Sequence, residues 1–185
     1  MHGPAMSGWL LVALCAASGA YCLVRVRSGP DEARGAAGGE AVMGFGMAAM
    51  AVPAAVVPPP PWAWLVYAAV FGAAALRALW AARLPSGAGH HLHHLVGSLA
   101  MVYMALTMAP GGGGHSGHGR AGGVPLLTGA LLVYFAVFVL RAGTRLVPVA
   151  SAAGGGTVAW GARPELALAC RVSMGVAMVA MLLTV

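Results

Sequence analysis

Long apolar runs separated by short polar or proline-rich breaks set the pattern of this chain. Six runs have the roughly 17–25 residues that a membrane-crossing helix needs: 8–24, 41–57, 62–82, 92–109, 125–142 and 166–185. The breaks carry turn chemistry. Ser28-Gly29-Pro30-Asp31 follows the first run, and Pro58–Pro61 is a four-proline run that no helix interior tolerates. Pro85-Ser86-Gly87 follows the third run, and Pro110 with a string of glycines ends the fourth. Pro164 stands where a first-turn proline opens a helix. Pro53 is expected to kink the outer third of the second helix. The pattern predicts an all-α fold: a polytopic membrane bundle of six transmembrane helices, with residues 1–185 forming one integral membrane domain.

Composition narrows the class. Hydrophobic residues make up 60% of the chain and charged residues 8%, against roughly a quarter charged in soluble domains. That argues against a water-soluble fold, a disordered chain and a nucleic-acid binder. All ten basic residues are arginine, and their positions predict topology. Arg25, Arg27 and Arg34 fall between the first two runs, Arg77 and Arg83 at the end of the third, and Arg141, Arg145 and Arg163 between the last two. Only Arg120 falls in the opposite set of breaks, and Arg171, inside the sixth run, is expected to snorkel back to the arginine-rich face. The reading is a cell-membrane protein with the arginine face in the cytoplasm and both termini outside. Trp9, Trp62 and Trp64 mark the outer interface and Trp80 the inner one. The first run is read as a span, not a cleaved signal, because Met-His-Gly-Pro has no positive charge ahead of it.

Candidate chemistry lies in sulfur and imidazole. Met43, Met47 and Met50, then Met101, Met104 and Met108, then Met174, Met178 and Met181 occupy the three even-numbered runs. Spacings of three and four put each trio within an arc of about 60° on its helix. Each stripe continues at its inner end into a polar residue: Glu40, then His90 and His94, then Arg171. Convergence of the three faces would make a thioether-lined column with a polar mouth. Thioethers favour Cu(I), and imidazole suits copper. In Gly89-His90-His91-Leu92-His93-His94, His90 with His94 and His91 with His94 have helical ligand spacing. His115 and His118 could capture metal in the external loop, residues 111–123.

A packing account competes with each of these. Met is a flexible apolar filler, and a one-face stripe can simply meet a neighbouring helix. The histidines can be an interfacial polar anchor. Cys15 and Cys22 share one face and read as small apolar residues, whereas Cys170, beside Arg171, is the better thiolate candidate. Glu40 and Glu165 read as interfacial.

The run Glu40-Ala-Val-Met-Gly-Phe-Gly-Met-Ala-Ala-Met and the run His93-His94-Leu-Val-Gly-Ser-Leu-Ala-Met-Val-Tyr-Met resemble an uncharacterised family of small actinobacterial membrane proteins. So do the glycine- and histidine-rich loop and the segment Arg163-Pro-Glu-Leu-Ala-Leu-Ala-Cys. That family is known only as a domain of unknown function, so the resemblance implies a multipass membrane protein and no catalytic activity. The sequence carries no HExxH, GxSxG, phosphate-binding loop or dinucleotide fingerprint. A di-haem cytochrome would want ligands facing one another from different helices, yet every membrane-region histidine lies at one end of the fourth run. The resulting expectation is non-enzymatic: binding or relay of a soft metal, Cu(I), through Met- and His-lined faces. The alternative is a structural or accessory subunit whose stripes pack against a copy of itself or a partner within the lipid.

Overall fold

The computed structural model describes residues 4–28, 31–53, 56–83, 88–109, 124–152 and 163–184. They form six helices and, among the described residues, no strand. The helices are α1 (Pro4–Ser28), α2 (Asp31–Met50), α3 (Ala63–Ala82), α4 (Ala88–Met108), α5 (Pro125–Ala152) and α6 (Pro164–Leu182). Prolines do much of the punctuation. Pro125 and Pro164 stand at first helical positions, where the missing N–H has no intrahelical partner to lose.

Helix α2 departs most from its apolar run. It begins ten residues early, at Asp31, and ends at Met50 rather than passing through Pro53. Ala51 still donates to the Met47 carbonyl at 2.9 Å, and then the chain turns. Pro53 thus ends the helix instead of kinking it, since its ring and missing N–H exclude it from the next turn. The early start has a plain cause: Asp31, Glu32 and Arg34 interrupt hydrophobicity but not helicity. Helix α5 similarly runs past its apolar stretch, through Pro148 to Ala152.

Stretches within α1, α3, α5 and α6 are long and apolar enough to cross a membrane: Met6–Ser28, Ala63–Ala82, Pro125–Arg145 and Glu165–Leu182. The chain is therefore a membrane protein. Helices α2 and α4 have spanning length but lower hydropathy, because α2 holds Glu40 and the charges of its first turn, and α4 opens on four histidines.

The helices divide into two compact groups. The first contains α1, α2, α6 and the part of α5 from Leu132 onward. Here α1 and α2 form a close antiparallel pair. Gly8 lies against Pro53, Gly19 against Phe45 and Gly44, and Cys22 against Glu40, so the partners descend in step along both helices. At the crossing, a Cβ built on Gly44 would stand 2.9 Å from the Gly19 Cα and N and 3.1 Å from the Cys15 carbonyl oxygen. Backbone meets backbone there, as small residues permit in membrane helices. Helix α6 packs on α1 and α2 and meets α5 where Gly175 faces Val139 and Phe138.

The second group pairs α3 with α4 and includes the start of α5. Tyr103 on α4 fastens that start. Its phenolic oxygen accepts from the Val124 N–H at 2.8 Å and shares a hydrogen bond with the Thr128 hydroxyl at 2.7 Å.

Leu10, Leu65, Leu76, Trp80, Leu126, Val133 and Leu140 are exposed, and Cys15, Cys22, Phe71, Ala100, Phe135 and the methionines described next are buried. That inversion of a soluble protein's surface suits a lipid solvent, in which exposed aliphatic side chains carry no penalty.

Candidate functional site

Burial of one carboxylate organises the first group. Glu40, on α2, has a side chain only 4% exposed. Its Oε2 accepts from Arg25 Nη1 at 2.9 Å, and its Oε1 accepts from Arg171 Nε at 2.7 Å. The Cys22 thiol also donates to Oε2, at 3.6 Å. One carboxylate thus joins α1, α2 and α6. Desolvating a lone carboxylate is expensive, and only paired, fully hydrogen-bonded charges persist in such places. The two arginines differ in access: the Arg25 side chain is 14% exposed and that of Arg171 is 36% exposed.

A layer of neutral hydrogen bonds accompanies the ion pairs. Ser18 on α1 and Ser173 on α6 share a 2.9 Å bond. Ser173 also donates to the Cys170 carbonyl at 2.9 Å. Tyr21 donates to the Arg163 carbonyl at 3.3 Å, tying α1 to the residue before α6. No described buried side-chain nitrogen or oxygen lacks a partner.

The methionines face inward. Met43, Met47, Met174, Met178 and Met181 are buried in the first group, and Met101 and Met104 in the second. Met50 and Met108, at the stripe ends, are half-buried. The polar ends of two stripes do meet, because Glu40 below Met43 bonds Arg171 below Met174.

The histidines lie in the first two turns of α4, so their helical spacing holds. His91, His93 and His94 are half-buried, and the His93 and His94 rings stand 6.3 Å apart, edge to face. His90 is helical; its side chain lies outside the described residues, as do His115 and His118 altogether. All three cysteines are free thiols. Cys170 is half-buried, and the guanidinium expected to favour its thiolate is engaged by Glu40. Among the described residues, no three His, Cys, Asp or Glu side chains gather into a group able to hold a metal ion.

A family model described as a domain of unknown function, DUF5134, matches residues 32–185. The chain belongs to the DUF5134 family. No curated protein and no solved structure matches it. The DUF5134 match takes in Glu40, Arg171 and all nine stripe methionines, whereas Arg25 and Cys22 lie ahead of it on α1.

The carboxylate centre is what reading the sequence missed. Glu40 looked interfacial because three glycines and several charges precede it. The available signal was three charges, Arg25 just past the first apolar run, Glu40 just ahead of the second and Arg171 inside the sixth. Ionisable groups in such positions find one another or a cavity.

Proposed function

We propose that this chain is a non-enzymatic protein of the cell membrane that holds or relays Cu(I) through its buried methionine faces. The observation carrying the reading is the choice of side chain by environment. Seven of the nine stripe methionines are buried, while Leu, Val and Trp make up much of the exposed apolar surface. Thioethers are neutral, soft ligands, so they suit a monovalent soft cation in a dry interior. The half-buried histidines of α4 and the Cys170 thiol are the further donors of this reading, with His115 and His118 as external capture groups.

Copper content tests it. Protein grown with copper and purified in detergent under reducing conditions should carry near-stoichiometric Cu(I) by elemental analysis. Changing Met43, Met47, Met174 and Met178 together to Leu should cut that content at least several-fold with little change in thermal stability, because Leu and Met exchange at low cost in cores. Copper-free wild-type protein would remove the proposal. A second reading, an accessory subunit of a membrane complex, draws support from the lack of any His, Cys, Asp or Glu ligand group among the described residues. In that case the methionines only pack.

All six helices crossing, with both termini outside, is the topology that goes with this reading. Its support is the register of α1 and α2, which run beside one another from Gly8 and Pro53 to Cys22 and Glu40. A bilayer-crossing α1 would carry α2 with it. If α2 and α4 lay on the surface instead, the Pro58–Pro61 turn and Gly87 would exchange sides. A reporter active only in the cytoplasm should be silent when fused at Pro60 and active at Gly87. The reverse pattern would reduce the count to four spans.

A further inference from the structure

The carboxylate centre is charge-imbalanced. Two guanidiniums, both on segments apolar enough to cross a membrane, meet one carboxylate on α2, so the three groups in contact keep one net positive charge. Glu40 is engaged at both oxygens, Oε1 by Arg171 and Oε2 by Arg25 and Cys22. Arg171 does have something to offer. Among the described residues it donates only through Nε, and its two Nη groups reach no other acceptor. Its side chain is also the most open of the three.

Arg25 is in the last turn of α1. Arg171 lies seven positions after Pro164, the first residue of α6, or about 10 Å along the helix axis. The bond from Tyr21 to the Arg163 carbonyl sets the start of α6 beside this end of α1. The half-open guanidinium therefore lies near one rim of the first helix group, from which a side chain of its length can extend toward a lipid headgroup. Basic pockets between membrane helices bind anionic headgroups, and a planar guanidinium edge suits a phosphate oxygen pair.

We propose that Arg171 and Arg25, held on either side of Glu40, form a binding site for the phosphate of an anionic phospholipid headgroup. Glu40 fixes the two guanidiniums and cancels one charge, and the lipid phosphate cancels the other. The site is independent of the copper reading, so failure of copper loading leaves it standing.

The charge arithmetic gives variants with opposite signs. Arg171→Gln leaves the balanced Arg25–Glu40 pair, whereas Glu40→Gln leaves two uncompensated guanidiniums. Arg27, exposed two residues beyond Arg25, is the control for a diffuse basic rim. Purified protein in neutral detergent would be titrated with short-chain phosphatidylglycerol, with phosphatidylcholine, and with inorganic phosphate, following the rise in melting temperature. Wild type should respond to phosphatidylglycerol at markedly lower concentration than to phosphatidylcholine. Arg171→Gln should raise that midpoint by about fivefold, the effect of one basic group on an anionic lipid. Arg27→Gln should shift it less than about twofold, because an exposed charge is screened. Glu40→Gln, if it folds, should lower the midpoint. Equal losses in Arg27→Gln and Arg171→Gln would overturn the proposal in favour of a diffuse rim. Equal response to both lipids would overturn it outright. Stabilisation by inorganic phosphate alone, with no lipid preference, would overturn it in favour of a soluble anion.

Discussion

Glu40→Ala should loosen the packing of α1, α2 and α6 more than any other single side-chain truncation in the first helix group. The substitution removes the acceptor of two guanidiniums and of the Cys22 thiol at once. Breaking a fully buried ion pair by deleting one partner is strongly destabilising because the other charge stays behind. Arg25 is mostly buried and would bear that penalty, whereas Arg171 is open enough to turn toward water or headgroups. Discounting for that access, the expected loss is about 2–4 kcal/mol, read from chemical or thermal unfolding in detergent. Arg171→Ala should cost less, since Glu40 keeps Arg25. The triple replacement Arg25→Met, Glu40→Leu, Arg171→Met should recover much of the loss, because no buried charge then remains. A triple variant as unstable as Glu40→Ala would mean that the charges do more than compensate one another.

The fold was legible where hydropathy and proline agree. α3, bounded by Pro61 and Pro85, has a helix within one residue of its apolar run, because no proline and a single charge, Arg77, fall inside that run. In α2 the two signals part. Charges at Asp31, Glu32 and Arg34 hide a helix that hydrogen bonding readily supports, and Pro53 ends it inside an apolar stretch. Periodicity put each methionine trio on one side of its helix, and seven of the nine are buried. It could not show that Glu40 and Arg171, read as the inner ends of two stripes, bond each other. Depth along a helix can be read from residue number, but the rotation of one helix against the next depends on packing between residues far apart in sequence. The glycines illustrate the same limit: Gly44 and Gly72 look alike in an apolar run, yet a Cβ on Gly44 meets backbone and one on Gly72 meets nothing within 4 Å.

That contrast carries the second large effect. Gly44→Ala puts a methyl group 2.9 Å from the Gly19 Cα and N and 3.1 Å from the Cys15 carbonyl oxygen. None of these atoms can rotate away, so the α1–α2 crossing must open along its length. Overpacking of this kind typically costs about 1–3 kcal/mol, and Gly44→Val should cost more because its branches meet the same backbone. Opening would also pull Cys22 and Arg25 from Glu40, which sits one turn from Gly44 on the same helix. The crossing and the carboxylate centre should therefore fail together, and Gly44→Ala combined with Glu40→Ala should lose less than the sum of the two. Gly175→Ala tests the mechanism from the other side. Its methyl would strike the Val139 Cγ2 at 2.7 Å, a side-chain tip that can shift with its helix, so the loss should be smaller. Gly72→Ala should be close to neutral. Unfolding of the four variants in one detergent decides the matter. Should Gly44→Ala prove no worse than Gly72→Ala, α1 and α2 would not be in backbone contact, and the register that aligns Glu40 with Cys22 and Arg25 would go with it.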